Sequence, residues 1–290
     1  MDKLSSNKIG VFDSGIGGMT VLKELALKFR SCQFVYIGDS AYFPYGELDS
    51  NTLNKRVLKF CEYFASIKCC VVVIACNTAT SICFNTASKY LKQFNIPVVG
   101  VIEPGAHAAV GASKNKNIGV LATNVTVNSH AYKYAIQNLD NKINVHEVAA
   151  PYLVKLAENK ISNTNCNLDT LKYDNEIVKN YCQELIKYNV DTVLLGCTHF
   201  PLIVDLLRDQ FSKDTTFVSS AYETAKSLKN ILFSERCVSC NNQSQNNKEL
   251  NLNRFEIFTT HDIKNNRYKF KSVFKLLFDT EDVDVNLLSI

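Results

Sequence analysis

Two cysteines stand in matched settings. Cys76 follows Val71-Val72-Val73-Ile74-Ala75 and precedes Asn77-Thr78, while Cys197 follows Val193-Leu194-Leu195-Gly196 and precedes Thr198-His199. Two such thiols suit a reaction that removes a proton beside a carboxylate on one face of a carbon and returns a proton on the other. One acts as thiolate and one as thiol, and the roles exchange when the reaction reverses. Charge growing on the intermediate needs fixed donors, and the region of Ser14, Asn77, Thr78 and Thr198 supplies them. A simpler reading makes each cysteine a small buried hydrophobe, Asp13 a helix cap and His199 a core filler. The joint occurrence in two strand-end settings favours the chemical reading.

The elements that must position these groups alternate in type. Ile9-Gly10-Val11-Phe12 reads as a strand, Val21, Leu22, Leu25 and Phe29 recur at helical spacing, and Phe34 to Ile37 is a second strand. Leu53, Val57, Phe60, Cys61, Phe64 and Ile67 trace one helix face before the strand that leads to Cys76. That β-α-β-α-β order predicts an α/β fold with a mainly parallel sheet. Pro97 to Ile102 reads as a further strand, and Ile118-Gly119-Val120 then repeats the opening motif. Strands at Asn144 to Val148 and Asp191 to Gly196, with a helical interval from Asp169 to Tyr188 between them, lead to Cys197. A strand at Thr216 to Val218, a helix from Tyr222 to Phe233, and one more strand and short helix complete the chain. The repetition implies two similar doubly wound domains with the site at their interface: residues 1–98 plus about 208–290, and residues 99–207.

Ligands of open parallel sheets bind at the carboxyl ends of strands, where Asp13-Ser14, Cys76 and Cys197 all fall. A cysteine in the first turn of a helix is expected to have a pKa below its usual value of about 8.5. Asp13-Ser14-Gly15-Ile16-Gly17-Gly18 lacks the spacing of a dinucleotide fingerprint; its glycines are expected to turn the chain tightly and present N–H groups to a carboxylate.

Bulk composition narrows the classes. A net charge of +4 with scattered basic residues gives no support to a nucleic-acid groove. The longest apolar run, Val71 to Cys76, falls far short of the roughly 20 residues that span a bilayer. Eleven cysteines without a signal-peptide pattern at the N-terminus fit a reducing cytoplasm. Cys61, Cys69, Cys70, Cys83 and Cys182 read as buried hydrophobes. Cys237 and Cys240 form an isolated Cys-x-x-Cys, which is weak evidence for zinc, so no metal is expected. The Asn-rich stretch after Cys240 reads as a surface loop.

Phe12-Asp13-Ser14-Gly15-Ile16-Gly17-Gly18, Tyr36-Ile37-Gly38-Asp39-Ser40, Pro44-Tyr45-Gly46, Ala75-Cys76-Asn77-Thr78-Ala79-Thr80-Ser81, Gly100 to Gly105 and Leu195-Gly196-Cys197-Thr198-His199-Phe200-Pro201-Leu202 together resemble the glutamate racemases. The resemblance runs from Phe12 to Leu202 and implies cofactor-independent interconversion of L- and D-glutamate, supplying D-glutamate for the bacterial cell wall. It further implies that Cys76 acts on the D-enantiomer with help from Asp13, and Cys197 on the L-enantiomer with help from His199. Asp13-Ser14, Tyr45-Gly46, Asn77-Thr78, Thr123 and Thr198-His199 would hold the substrate, and the protein would be a homodimer.

The chain departs from the family pattern in Glu47-Leu48-Asp49 after Gly46, in Ala122-Thr123-Asn124-Val125-Thr126, and in Ala150 to Glu158, which only loosely matches the stretch where the family pattern places an assisting residue at Glu158. The first strand begins close to Met1, so the extension that some members use for activation by a cell-wall precursor is expected to be missing. Rival readings are a racemase for aspartate or a hydantoin and a hydrolase or amidotransferase using Cys197 and His199, which leaves Cys76 without a task.

Overall fold

The computed structural model describes residues 6–162, 168–234 and 251–290. The first stretch alternates β1 (Lys8–Asp13), α1 (Met19–Lys28), β2 (Gln33–Gly38), α2 (Ser50–Ser66), β3 (Val71–Ile74), α3 (Asn77–Lys92) and β4 (Val98–Gly100). Next come α4 (Ile102–Ala112), β5 (Asn117–Ala122), α5 (Asn124–Asn128), α6 (Ala131–Leu139), β6 (Asn144–Ala149), α7 (Tyr152–Ile161), α8 (Leu168–Ile186) and β7 (Thr192–Gly196). The remainder is α9 (Val204–Arg208), β8 (Thr216–Ser219), α10 (Ser220–Ser234), β9 (Phe255–Thr259), α11 (Ile263–Phe278) and β10 (Val285–Leu287). Among the described residues no helix is long and apolar enough to cross a membrane.

The strands form two parallel sheets, ordered β10-β9-β2-β1-β3-β4 and β6-β5-β7-β8. Helices cover both faces of each, so β3 and β7 are buried throughout and are written as unbroken apolar runs. The duplication lies in this order: β2-β1-β3-β4 of the first domain is repeated as β6-β5-β7-β8 in the second. Register makes the match residue by residue. Gly10 pairs with Val72 and Gly119 with Val193, so Cys76 and Cys197 each lie four residues beyond a corresponding strand position. The repeated glycine has a packing cause. A Cβ on Gly10 would stand 2.6 Å from the Phe64 ring of α2, and one on Gly119 would stand 2.8 Å from Leu185 of α8. In each domain a large side chain from the helix between the second and third strands rests on bare backbone of the first.

The structure corrects several sequence expectations. The strand read over Pro97 to Ile102 ends at Gly100, and Ile102 opens α4, whose Pro104 sits in the first turn, where a proline N–H is not needed. The border at residue 208 assigned Thr216–Ser219 to the first domain, but β8 pairs in parallel with β7 in the second sheet. The helix near the C-terminus is not short; α11 has 16 residues, and β10 follows it as an additional strand on the edge beyond β9. Cys61, Cys69, Cys70, Cys83 and Cys182 are buried, as their settings imply. Cys237, Cys240 and the stretch from Asn241 to Leu250 lie outside the described residues.

Candidate active site

Both cysteines emerge at carboxyl ends of equivalent strands. Cys76 is the N-cap of α3, where its Sγ accepts from the Ala79 N–H at 3.4 Å, and it lies 3.9 Å from Ser14 Oγ. Cys197 follows β7, with its Sγ 4.0 Å from His199 Nδ1. The helix terminus alone predicts a lowered pKa for Cys76, and the folded protein gives the reverse. Burial, reinforced by the Asp13 carboxylate, pushes the Cys76 thiol far up, and the Ala79 N–H and Ser14 hydroxyl offset only part of this.

Asp13 ends β1 fully buried. Its Oδ2 accepts from the N–H groups of Gly15 and Gly18, each at 3.1 Å, and its Oδ1 accepts from the Thr198 hydroxyl at 3.1 Å. The glycine turn therefore presents N–H groups to a carboxylate, but to one belonging to the chain itself. None of the glycines has a positive φ. Closeness is what excludes a side chain at Gly17, where a Cβ would stand 2.5 Å from Thr198 Oγ1 and 2.6 Å from His199 Nδ1. Asp13 thus ties the first domain to Thr198 of the second, and it acts on the Cys76 thiol through charge rather than a direct hydrogen bond.

His199 is buried, with Nε2 at 3.1 Å from Glu158 Oε1, and Lys269 Nζ lies 2.8 Å from the other Glu158 oxygen. Burial works against protonation of His199, yet the contacts with Cys197 and Glu158 push its pKa up to about 10. Burial likewise opposes ionisation of Glu158, but His199 and Lys269 hold its carboxyl below the usual range. The result is a cation-anion-cation row running from the cavity to α11. Lys269 carried no sequence signal, since its partner lies far along the chain, and Glu158 stood out only as a loosely matched position of the family pattern.

The donor array also forms as a cluster. Thr78, Thr123 and Thr126 bring their hydroxyls within 2.9 to 3.3 Å of one another across the domain interface. Asn77 is buried, and its Nδ2 has no hydrogen-bond partner among the described residues. Tyr45 differs from expectation in its side chain. Its hydroxyl donates to Asp39 Oδ2 at 2.6 Å, and Asp39 is in turn clamped by Arg56 Nε and Nη2, each at 2.9 Å. The phenol therefore anchors the Pro44-Tyr45-Gly46 loop, which forms part of the cavity wall.

Ser14, Tyr45, Gly46, Asn77, Thr78, Thr123, Thr198 and His199 surround one small cavity together with both cysteines. Phe43 and Val154, which the sequence reading passed over, complete its wall, with the Phe43 ring centroid 5.5 Å from that of His199. Its free room of about 20 Å³ suits one water. Phe43, Pro44, Gly46, Thr123 and Val154 separate it from a wider hollow of about 280 Å³ that reaches Lys155, Glu158 and Lys269.

Paired α/β domains with a thiol at the same strand end in each define a two-domain protein built around two cysteines. The sequence model for Asp/Glu/hydantoin racemases matches residues 33–228, and the chain belongs to this family of isomerases. Among individual relatives, it is 37% identical to a glutamate racemase of Sulfurihydrogenibium sp. over 228 residues, covering 77% of this chain and 82% of that protein. The crystal structure of a glutamate racemase isoform from Bacillus anthracis superposes with a TM-score of 0.83 at 31% identity, covering 100% of this chain and 99% of the other. The glutamate racemase of Francisella tularensis, solved in complex with D-glutamate, gives 0.80 at 26% identity, with 99% and 98% covered.

Proposed function

We propose that this protein interconverts L- and D-glutamate without a cofactor, by proton transfer between Cys76 and Cys197, and so supplies D-glutamate for peptidoglycan synthesis. The observation that carries the reading is the presence of both thiols on one cavity beside the unpaired Asn77 donor. In the L-to-D direction the Cys197 thiolate takes the α-proton, breaking C–H and forming S–H. The electron pair spreads into the α-carboxylate, toward which Asn77 and Thr78 donate. Cys76, kept as a thiol by burial and by Asp13, then delivers its proton to the opposite face. The reverse direction exchanges the two roles. His199, held protonated by Cys197 and Glu158, places a cation beside Cys197.

The relatives named as glutamate racemases favour glutamate over aspartate. Incubation with L-glutamate in deuterated water, without added cofactor, is expected to give α-deuterated D-glutamate and loss of optical rotation. No exchange with glutamate, or exchange that survives in both Cys76→Ala and Cys197→Ala, would sink the reading; preference for aspartate would select the rival substrate. The proposal extends to a homodimer in the cytoplasm, the first checked by sedimentation. It also places the domain borders near residues 100 and 219, since β4 closes the first sheet's contiguous part and β8 closes the second sheet.

A further inference from the structure

Asn77 can offer its amide to the cavity in either of two orientations, one presenting N–H groups and one presenting the carbonyl oxygen. Its Oδ1 accepts a hydrogen bond from the Tyr132 hydroxyl at 2.5 Å, and its Nδ2 is left buried and unpaired. Tyr132 has little freedom to do otherwise. Its side chain is wholly buried, and Ser220 hydrogen-bonds the phenol. Two glycines make room for its ring: a Cβ on Gly196 or on Gly105 would stand 3.0 Å from it. Gly196 directly precedes Cys197, so the ring packs against the backbone that carries the second thiol. Tyr132 belongs to α6 of the second domain and Asn77 to α3 of the first, so this hydrogen bond crosses the interface.

We propose that Tyr132 is a positioning residue that fixes the Asn77 amide with its NH2 group toward the substrate carboxylate. The inference rests on the functional reading above. Without the hydroxyl the amide is free to turn over and set its oxygen against an anion, which exchanges a charge-assisted hydrogen bond for repulsion.

Tyr132→Phe tests this, because it keeps the ring in its glycine cradle and removes one oxygen. The expected result is a roughly tenfold rise in KM for both glutamate enantiomers, with kcat changed less, the order of effect for one hydrogen bond to a charged group. In an Asn77→Ala background the same change should raise KM no further. The Asn77 side-chain NH2 resonances in a 15N spectrum, assigned by their loss in Asn77→Asp, should shift or broaden in Tyr132→Phe. An unmoved amide signal, or an equal KM rise when Asn77 is absent, overturns the inference. A wild type that exchanges no glutamate defeats the functional reading instead, and the amide signal still decides the positioning role.

Discussion

Asp13 and His199 flank the two thiols with opposite charge logic. The Asp13 carboxylate raises the Cys76 pKa, so Asp13→Asn should speed alkylation of Cys76 by iodoacetamide in the absence of substrate. The same change should slow racemisation by roughly 100-fold or more, the scale of a lost acid-base assistant, as followed by circular dichroism. His199 has an ordinary pKa of 6.5 and one of about 10 in the folded protein. A raised folded pKa means that its stabilisation is complete below about pH 6.5 and is lost as pH rises toward about 10. Urea midpoints across that window should fall more steeply for wild type than for His199→Asn. Cys76, Cys197, Asp13 and His199 were legible because each sits within a short motif at a strand end. Lys269 and Tyr132 were not, because their roles arise from contacts with residues distant in sequence, and Glu158 was marked only by a loose match to the family pattern.

Among elements, the paired glycines are the most exacting feature. Gly10→Ala or Gly119→Ala should each cost about 1–3 kcal/mol by overpacking against Phe64 or Leu185, read as a lower denaturant midpoint. Phe64→Leu should recover part of the loss in the Gly10→Ala chain and none in the Gly119→Ala chain. The strands were legible for a reason visible in the structure: β1, β3, β5 and β7 are central and buried, so their apolar runs stand out against helical periodicity. Val98–Gly100 was harder to delimit, since Val101 and Ile102 continue the apolar run while the backbone has already turned into α4. The edge strand β10 has two exposed residues out of three and gave little pattern to read.

At the scale of the molecule, about 20 Å³ of free room holds no amino acid, so substrate binding requires the domains or the Phe43-Pro44 loop to yield. The Lys269–Glu158 contact joins α11, which lies between two strands of the first sheet, to α7 of the second domain. Removing that cation in Lys269→Met should raise the Glu158 pKa, so the acid limb of the pH–rate profile should move to higher pH, with the alkaline limb moving less. The two domains share a register but not their chemistry. Asp13 lies three residues beyond Gly10, and the corresponding residue beyond Gly119 is Ala122. One thiol thus lies in the field of a carboxylate and the other beside an imidazole-carboxylate-ammonium row. Mirror-image amino acids have equal free energy in water, so kcat/KM must be the same in the two directions however unlike these two settings are. The asymmetry between the halves can only exchange tighter binding for slower turnover, and a lesion on one side, such as Asp13→Asn, must depress both directions by one common factor.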